Sequence, residues 1–169
     1  MNKGIDHAKG QYLYFLNSGD CLSQDILAKI PFDGTEYLYG DTILFYKRKT
    51  KKRVYPDTLD LIYLSDNSLH HQSCFIHHTL FKDKRYDINY KIISDWAHCF
   101  QCLIIENRTY RHLPYIISEC DGRGISSNGK ELNQERTLWF QNTFPATQSK
   151  VFIDCAALDL SLIHISEPT

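Results

Sequence analysis

The stretch GQYLYFLNSGD, Gly10 to Asp20, constrains the fold more than any other part of the sequence. Its nearly apolar run from Gln11 to Leu16 has neither helical spacing nor strict alternation, and it ends at a small polar corner. Such a run predicts a strand that is buried on both faces, as in parallel sheets flanked by helices. Ligands gather at the carboxyl ends of such strands, so we expect Asp20 to lie near a ligand.

Composition and charge predict one cytoplasmic globular domain. The 169 residues are 43% hydrophobic, and the formal net charge of -1 gives no reason to expect nucleic-acid binding. No stretch approaches the ~20 apolar residues of a membrane span, and the N-terminus lacks a signal-peptide pattern. Without an export signal, the six cysteines are expected to be reduced thiols.

One local departure from neutrality is the basic stretch KRKTKKR, Lys47 to Arg53. A solvated hairpin tip is the favoured interpretation of such a charge run. A patch that binds phosphate or lipid is the alternative, and peripheral contact with a membrane stays open with it.

The remaining pattern predicts short helices and strands along the whole chain. The predicted helices are Met1 to Ala8, a short helix capped by Ser23 and ended by Pro31, one that opens at Ser94 or Asp95, and Ser127 to Asn142. The predicted strands after the first are Tyr37 to Tyr39 and Thr42 to Tyr46, broken by Gly40 and Asp41, then segments within HHQSCFIHHTLF and HLPYIISEC. The residues expected to be buried in the last two helices are Trp96, Phe100, Leu103, Ile104, Leu132, Leu138 and Trp139.

The two ends of the chain do not match a self-sufficient domain. The sequence begins inside a helical pattern, with no preceding strand on which that helix could pack. It ends in LSLIHISEPT, which follows no earlier pattern and resembles a translated adaptor. We therefore expect a fragment in which residues 1–145 form part of one domain. Residues 146–169 would be an irregular tail that is non-native from about residue 160.

The corner Asn17-Ser18-Gly19-Asp20 is the first candidate for chemistry. A carboxylate on a turn after a strand is well placed to hold Mg²⁺ or Mn²⁺, since such ions are often bound by one or two carboxylates plus substrate phosphates. Gly19 would let the backbone approach a ligand closely. An ordinary Asx-type turn is the alternative.

Asp95 is the second candidate, at the start of a predicted helix. An acid at that place is often only a cap, which the helix dipole stabilises. The same place also fixes a carboxylate rigidly at the mouth of a cleft, where it can accept a proton.

Two loops offer further candidates. His71 and Gln72 could hydrogen-bond phosphate or sugar hydroxyls, although an exposed loop histidine is common. In the loop Gly122 to Ser126, backbone amides could meet an anion and Arg123 could pair with a phosphate. A simple connection between a strand and a helix is the alternative there.

A zinc site is a competing interpretation of the histidines and cysteines. His98, Cys99 and Cys102 form a short run. The upstream candidates are His70, His71, Cys74, His77 and His78. Cys99 and Cys102 lie one turn apart in an apolar helix, where cysteine behaves as a small hydrophobic residue, so we expect no zinc.

Four segments, taken in order, carry a resemblance to one protein family. They are MNKGIDHAKGQYLYFLNSGD, HHQSCFIHHTLF, YDINYKIISDWAHCF and DGRGISS, within Met1 to Phe140. The chain resembles the bacterial inverting glycosyltransferases of family two, and most of all the enzymes of capsule, colanic acid or O-antigen assembly. The asparagine-lysine-glycine opening and the FLNSGD corner are the most specific parts.

This resemblance implies a GT-A fold, an α/β architecture with a Rossmann-like mixed sheet flanked by helices. In family members a nucleotide-binding half precedes the asparagine-lysine-glycine helix, and this sequence lacks it. We therefore expect the C-terminal, metal- and acceptor-side part of such a domain, inactive as a transferase by itself.

The resemblance also implies roles for the candidate acids. Asp20 falls on the last acid of the family's metal-binding motif, which implies Mg²⁺ or Mn²⁺ as the cofactor. Asn17 and Gly19 stand where many members have further acids. Asp95 falls on the catalytic base.

The two loops acquire roles in the same way. His71 and Gln72 fall on a loop near the donor and the acceptor. Gly124 and Ser126 fall on a glycine-serine loop near the active site. The Gln-x-x-Arg-Trp motif of processive synthases is absent, which favours a single-transfer enzyme.

The implied activity is that of a hexosyltransferase-type enzyme in cell-surface polysaccharide synthesis. Its partners would be a nucleotide-diphosphate sugar donor and a glycan or lipid-linked acceptor, with no nucleic acid. It would work in the cytoplasm, where the inner face of the membrane is within reach. A non-catalytic carbohydrate- or partner-binding module is the alternative, because the nucleotide-binding half is missing.

Overall fold

A six-stranded mixed sheet with helices packed against it forms the centre of the molecule, in a computed structural model that describes residues 1–123 and 129–163. The strands are β1 (Tyr12–Tyr14), β2 (Cys21–Leu22), β3 (Tyr37–Tyr46), β4 (Lys49–Arg53), β5 (Cys74–His77) and β6 (Tyr110–Asp121). The α-helices are α1 (Asn2–His7), α2 (Leu61–Asp66), α3 (Ser94–Phe100), α4 (Gly129–Thr143) and α5 (Ala146–Ile163). Short 3-10 helices span Ile26–Lys29, His71–Ser73 and His78–Phe81, and a π-helical segment, Gln101–Ile105, follows α3.

The strand order is β1-β5-β3-β6-β2, with β4 paired to β3. Only β3 and β6 run parallel among these pairs, and the others are antiparallel. A mixed sheet flanked by helices is therefore confirmed as the fold class.

The strand predicted from Gln11 to Leu16 is shorter and less buried than expected. β1 has three residues, lies at one edge of the sheet and pairs antiparallel with β5. Only Leu13 of β1 is buried, and Leu16 beyond it is 44% exposed. The prediction of a strand buried on both faces is wrong, because an apolar run cannot distinguish an edge strand with one buried face from a central one.

β3 is one continuous strand where the sequence predicted two. The break expected at Gly40 and Asp41 is a shift in the register of β3 against β6. A Cβ atom on Gly40 would lie 2.7 Å from the Ile117 side chain and 2.8 Å from the Tyr115 carbonyl oxygen. Glycine at this position therefore permits a close approach of the two strands rather than ending one of them.

The two faces of the sheet carry separate hydrophobic clusters. Along β3, Tyr37 and Tyr39 face the larger cluster while Leu38 faces the smaller one, as the alternation of a strand requires. The larger cluster takes its aromatic side chains from the helices, and these include Trp96, Phe100, Trp139 and Phe140. The helices are thus held to the sheet by aromatic packing, with ring centroids of Trp96 and Trp139 5.1 Å apart.

The predicted helices are present with local differences. α3 begins at Ser94 as predicted, with Trp96, Phe100 and Leu103 buried. Ser23 makes no capping side-chain hydrogen bond, and a short 3-10 helix begins instead after Asp25, which has a left-handed backbone.

In α4, Trp139 is buried as predicted and Leu132 is partly buried. Leu138 was expected to be buried and is 50% exposed, and Phe140 takes its place in the core. The buried face of α4 is therefore rotated about the helix axis relative to the face that the sequence pattern predicted.

The segment expected to be an irregular tail is helical from Ala146 to Ile163. Phe144, Phe152 and Ile153 pack against the larger core, which explains why this segment orders on the domain. A non-native origin of the residues from about 160 stays a prediction. Within residues 1–123 and 129–163, no helix has both the length and the apolar character needed to cross a membrane.

Candidate functional site

The corner after β1 is a tight turn that exposes its polar side chains. The Asp20 amide donates to the Asn17 carbonyl oxygen at 3.1 Å, and Gly19 has φ of 93°. That backbone conformation strains any residue except glycine, which accounts for the glycine in this corner. Ser18 is exposed on the same turn. The corner therefore forms a hydrogen-bonded turn, and this turn places Asp20 next to the neighbouring segments.

The Asp20 carboxylate joins two other segments of the chain. Its Oδ2 accepts a hydrogen bond from Gln72 Nε2 at 2.7 Å, and its Oδ1 accepts one from the Asp121 amide at 2.9 Å. The corner, the 71–73 turn and the end of β6 therefore meet at this one carboxylate.

Gln72 is buried, so its side chain has one defined direction. The backbone carbonyl oxygen of Gln72 accepts a hydrogen bond from the Tyr14 hydroxyl at 2.6 Å. Burial raises the pKa of Tyr14 well above its ordinary value, and Asp20 raises it further. Tyr14 therefore stays protonated and acts as a donor that ties β1 to the 71–73 turn.

Asp95 is paired with His71. His71 Nδ1 lies 2.9 Å from Asp95 Oδ2, and His71 Nε2 lies 3.3 Å from Asn17 Oδ1. The other Asp95 oxygen, Oδ1, accepts the Trp96 amide at 2.8 Å. Asp95 thus lies in the first turn of α3 and not at its N-cap, and its Oδ2 is oriented by a histidine.

The two carboxylates are linked through neighbouring residues of one hydrogen-bonded group. Asp95 bonds His71, Asp20 bonds the next residue, Gln72, and Asn17 of the same corner bonds back to His71. The sequence placed these residues in three separate motifs, and the structure brings them into one hydrogen-bonded group.

Arg123 lies beside this group and pairs with an acid of its own loop. Its Nε and Nη2 donate to the Asp121 carboxylate at 2.8 and 2.6 Å. This ion pair lowers the pKa of Asp121 to about 2. Gly124 and Ser126, the other candidates of this loop, lie outside the described residues.

An open depression of about 330 Å³ adjoins the corner. Gly19, Tyr46, Lys47, Asp121 and Arg123 are among the residues that line it. Its lining carries two cations, Lys47 and Arg123, and two acids, Glu119 and Asp121, so the formal charges of the lining cancel.

Glu135, on α4, is a residue of the site that the sequence analysis missed. Its carboxylate accepts the backbone amides of Lys91, Ile92 and Ile93 at 3.1, 2.9 and 3.2 Å. These amides directly precede the helix that carries Asp95, so Glu135 fixes the start of α3. No local pattern could reveal a cap whose partners are more than 40 residues away.

Arg136, the next residue, holds the segment that leads to His71. Its guanidinium donates to the carbonyl oxygen of Asp66 and to Ser68 Oγ, the latter at 2.6 Å, and lies 4.8 Å from the Trp96 ring centroid. Burial lowers the pKa of Arg136 to about 10, so it stays charged at neutral pH. Neighbouring residues on one helix thus support both partners of the Asp95–His71 pair.

Metal ligands are sparse in this site. Within residues 1–123 and 129–163, no group of three or more His, Cys, Asp and Glu side chains is arranged to hold an ion, so the zinc interpretation has no ligand set there. The cysteines with described side chains are free thiols. Each Asp20 oxygen accepts one hydrogen bond and keeps a further lone pair, which fits a cation held by one carboxylate and substrate phosphates.

Comparison with known proteins gives a distant similarity to glycosyltransferases. No protein-family model matches the chain. PGL/p-HBAD biosynthesis glycosyltransferases of Mycobacterium tuberculosis and Mycobacterium bovis are 28% identical to it over 136 residues, which cover 76% of this chain and 52% of theirs. The chain spans about half the length of the curated relatives it matches. The resemblance to glycosyltransferases is supported at this level.

Replacing Glu135 by alanine should loosen the start of α3. We expect faster hydrogen exchange at residues 91–96 and a loss of about 1–3 kcal/mol in the free energy of unfolding, because two partly buried amides and one exposed amide lose a charged acceptor. Glu131→Ala, at an exposed position of the same helix, is the control and should change neither quantity. Unchanged exchange in Glu135→Ala would contradict the capping role.

Two buried histidines should make stability depend on pH. Burial lowers the pKa of His70 and of His98 to about 4. Between pH 6.5 and 4 the unfolded chain binds these protons and the folded chain does not, so the free energy of unfolding should fall as pH falls, by up to about 3 kcal/mol for each histidine. Urea titrations should show a flatter profile for His98→Gln, whereas His7→Gln at an exposed position should keep the parent profile.

Proposed function

We propose that this chain is the metal- and acceptor-side part of an inverting GT-A glycosyltransferase, which moves a sugar from a nucleotide-diphosphate sugar to a glycan or lipid-linked acceptor in cell-surface polysaccharide synthesis. The observation that carries the proposal is the hydrogen-bonded group in which Asn17, His71 and Gln72 link Asp20 to Asp95. The distant similarity to mycobacterial glycosyltransferases of PGL/p-HBAD biosynthesis supports the same class of chemistry.

Asp95 is the general base of the proposed reaction. Its Oδ2 is partly exposed and takes the proton from an acceptor hydroxyl while that oxygen bonds to the anomeric carbon. The bond from that carbon to the donor phosphate breaks on the opposite face, and the nucleoside diphosphate leaves with the bonding electrons. Attack from the opposite face inverts the configuration, through an oxocarbenium-like transition state.

His71 orients this base. Its Nδ1–H donates to Asp95 Oδ2, and its Nε2 lies 3.3 Å from the side-chain amide of Asn17, so the ring is in contact with polar groups at both nitrogens. A fixed carboxylate loses less orientational freedom when the acceptor binds, which lowers the barrier to proton transfer.

Asp20 would hold Mg²⁺ or Mn²⁺, and Gln72 fixes the direction of its carboxylate. A bound ion of this kind neutralises the charge that develops on a leaving diphosphate. Nucleotide recognition would come from residues outside this chain.

The exchange Asp95→Asn tests the general base. In a version that also carries the segment preceding Met1 in the genomic reading frame, turnover of a labelled nucleotide sugar should fall ~10²–10⁴-fold. Asp83→Asn, at an exposed position, should keep parent turnover. Full turnover by Asp95→Asn would reject the role, and a parent without transferase activity would favour a non-catalytic carbohydrate- or partner-binding module.

Asp20→Asn tests the cation site on the chain itself. Paramagnetic line broadening by Mn²⁺, with a nucleoside diphosphate present, should reach the corner and the 71–73 turn in the parent and disappear in the variant. Asp25→Asn is the matched control, because Asp25 is exposed and close in sequence. Equal broadening in the parent and in Asp20→Asn would remove Asp20 from the metal site.

A further inference from the structure

The basic stretch that the proposed function leaves unused forms the turn and the second strand of a hairpin. Lys47 and Arg48 make the turn between β3 and β4, and β4 pairs only with β3. Six of the seven residues from Lys47 to Arg53 are basic. The prediction of a hairpin is confirmed. The basic side chains at its tip have no role in the proposed function.

Most of these charges are uncompensated. Lys52 pairs with Asp41 at 3.0 Å. Lys47, Arg48, Lys49 and Lys51 are exposed and form no ion pair with an acid whose side chain the structure describes. Four adjacent solvated cations are therefore available to an external anion.

The rest of the molecule has the opposite charge. The whole chain carries a formal net charge of -1, so the residues outside the six-cation stretch carry -7. An extended polyanion such as DNA would also contact the negatively charged surface beyond the tip, and that surface would repel it. A surface that touches the tip alone gains the attraction and avoids most of the repulsion.

Apolar side chains stand at the base of the basic tip. Phe45 is 44% exposed on β3, and Val54 is 61% exposed just after β4. Lys49 Nζ lies 5.7 Å from the ring centroid of Tyr46. Aromatic and apolar groups among lysines match the interface of a bilayer, where rings settle at headgroup depth and cations meet lipid phosphates.

The hairpin tip also stands next to the candidate site. Phe45, Tyr46 and Lys47 line the same depression as Gly19 and Asp121. A surface that binds the tip would therefore lie beside the depression that adjoins the corner after β1.

We propose that the hairpin tip, residues 45–54, docks on a bilayer that carries anionic headgroups and holds the adjoining depression against that surface. This goes beyond the proposed function and does not depend on it, because docking needs neither a sugar donor nor catalysis.

Vesicle flotation of the full chain tests the proposal, since it separates lipid-bound protein from aggregates. The chain should float with vesicles of phosphatidylcholine mixed with phosphatidylglycerol and stay behind with phosphatidylcholine alone. Binding should weaken strongly in ~1 M salt, where the screening length falls to about 3 Å. Equal flotation with both kinds of vesicle would overturn the electrostatic docking.

A charge-matched pair of variants locates the surface. The quadruple change K47Q/R48Q/K49Q/K51Q should lower binding at least ~10-fold, because each cation near an anionic bilayer contributes about a fivefold factor. The control K3Q/K9Q/K82Q/K130Q removes the same charge from other exposed positions and should bind like the parent. Thermal melts establish that both variants are folded, and equal loss in both would overturn the proposal.

Two competitors distinguish other anions. Inorganic phosphate at constant ionic strength should not displace the chain from the vesicles, and displacement would indicate a phosphate site in place of a surface. Duplex DNA should bind more weakly than the mixed vesicles. Tighter, hairpin-dependent DNA binding would replace the bilayer by nucleic acid as the partner.

Discussion

The arrangement of the candidate site depends on the buried turn at residues 70–73. Ser73 is fully buried, and its hydroxyl bonds those of Thr42 in β3 and Ser118 in β6, the latter at 2.6 Å. A buried hydroxyl without a partner would cost free energy, so the turn has one favoured position against the sheet. From that position His71 reaches Asp95 and Gln72 reaches the corner after β1. The sheet thereby sets the direction of both side chains.

The helices also support the residues of the candidate site. α4 lies far from the corner in sequence, yet it supports the start of α3 and the segment before the turn. Aromatic packing between α3 and α4 keeps this support rigid. The candidate site is therefore built by non-local contacts on all sides, and only the tight corner around Gly19 is determined by its own local sequence.

Local signals in the sequence predicted most elements and drew attention to residues that lie together in the structure, but they did not predict how these residues assemble. The apolar spacing of α3 and the turn around Gly19 depend on neighbouring residues in the chain, so the sequence alone was enough to predict them. The edge position of β1 depends on which strands pair, which no local pattern records. Gly40 permits a close contact with β6 and does not end a strand. A glycine is found in both situations, so the sequence could not distinguish them. The cap formed by Glu135 joins segments more than 40 residues apart and left no signature.

The adjacency of Glu135 and Arg136 has a mechanical consequence. Because the two residues are consecutive on one helix, any shift of α4 along its axis moves the supports of Asp95 and of His71 together. Heating or a perturbation of this helix should thus disorder Asp95 and His71 in a single cooperative step, with no intermediate in which only one of them is ordered.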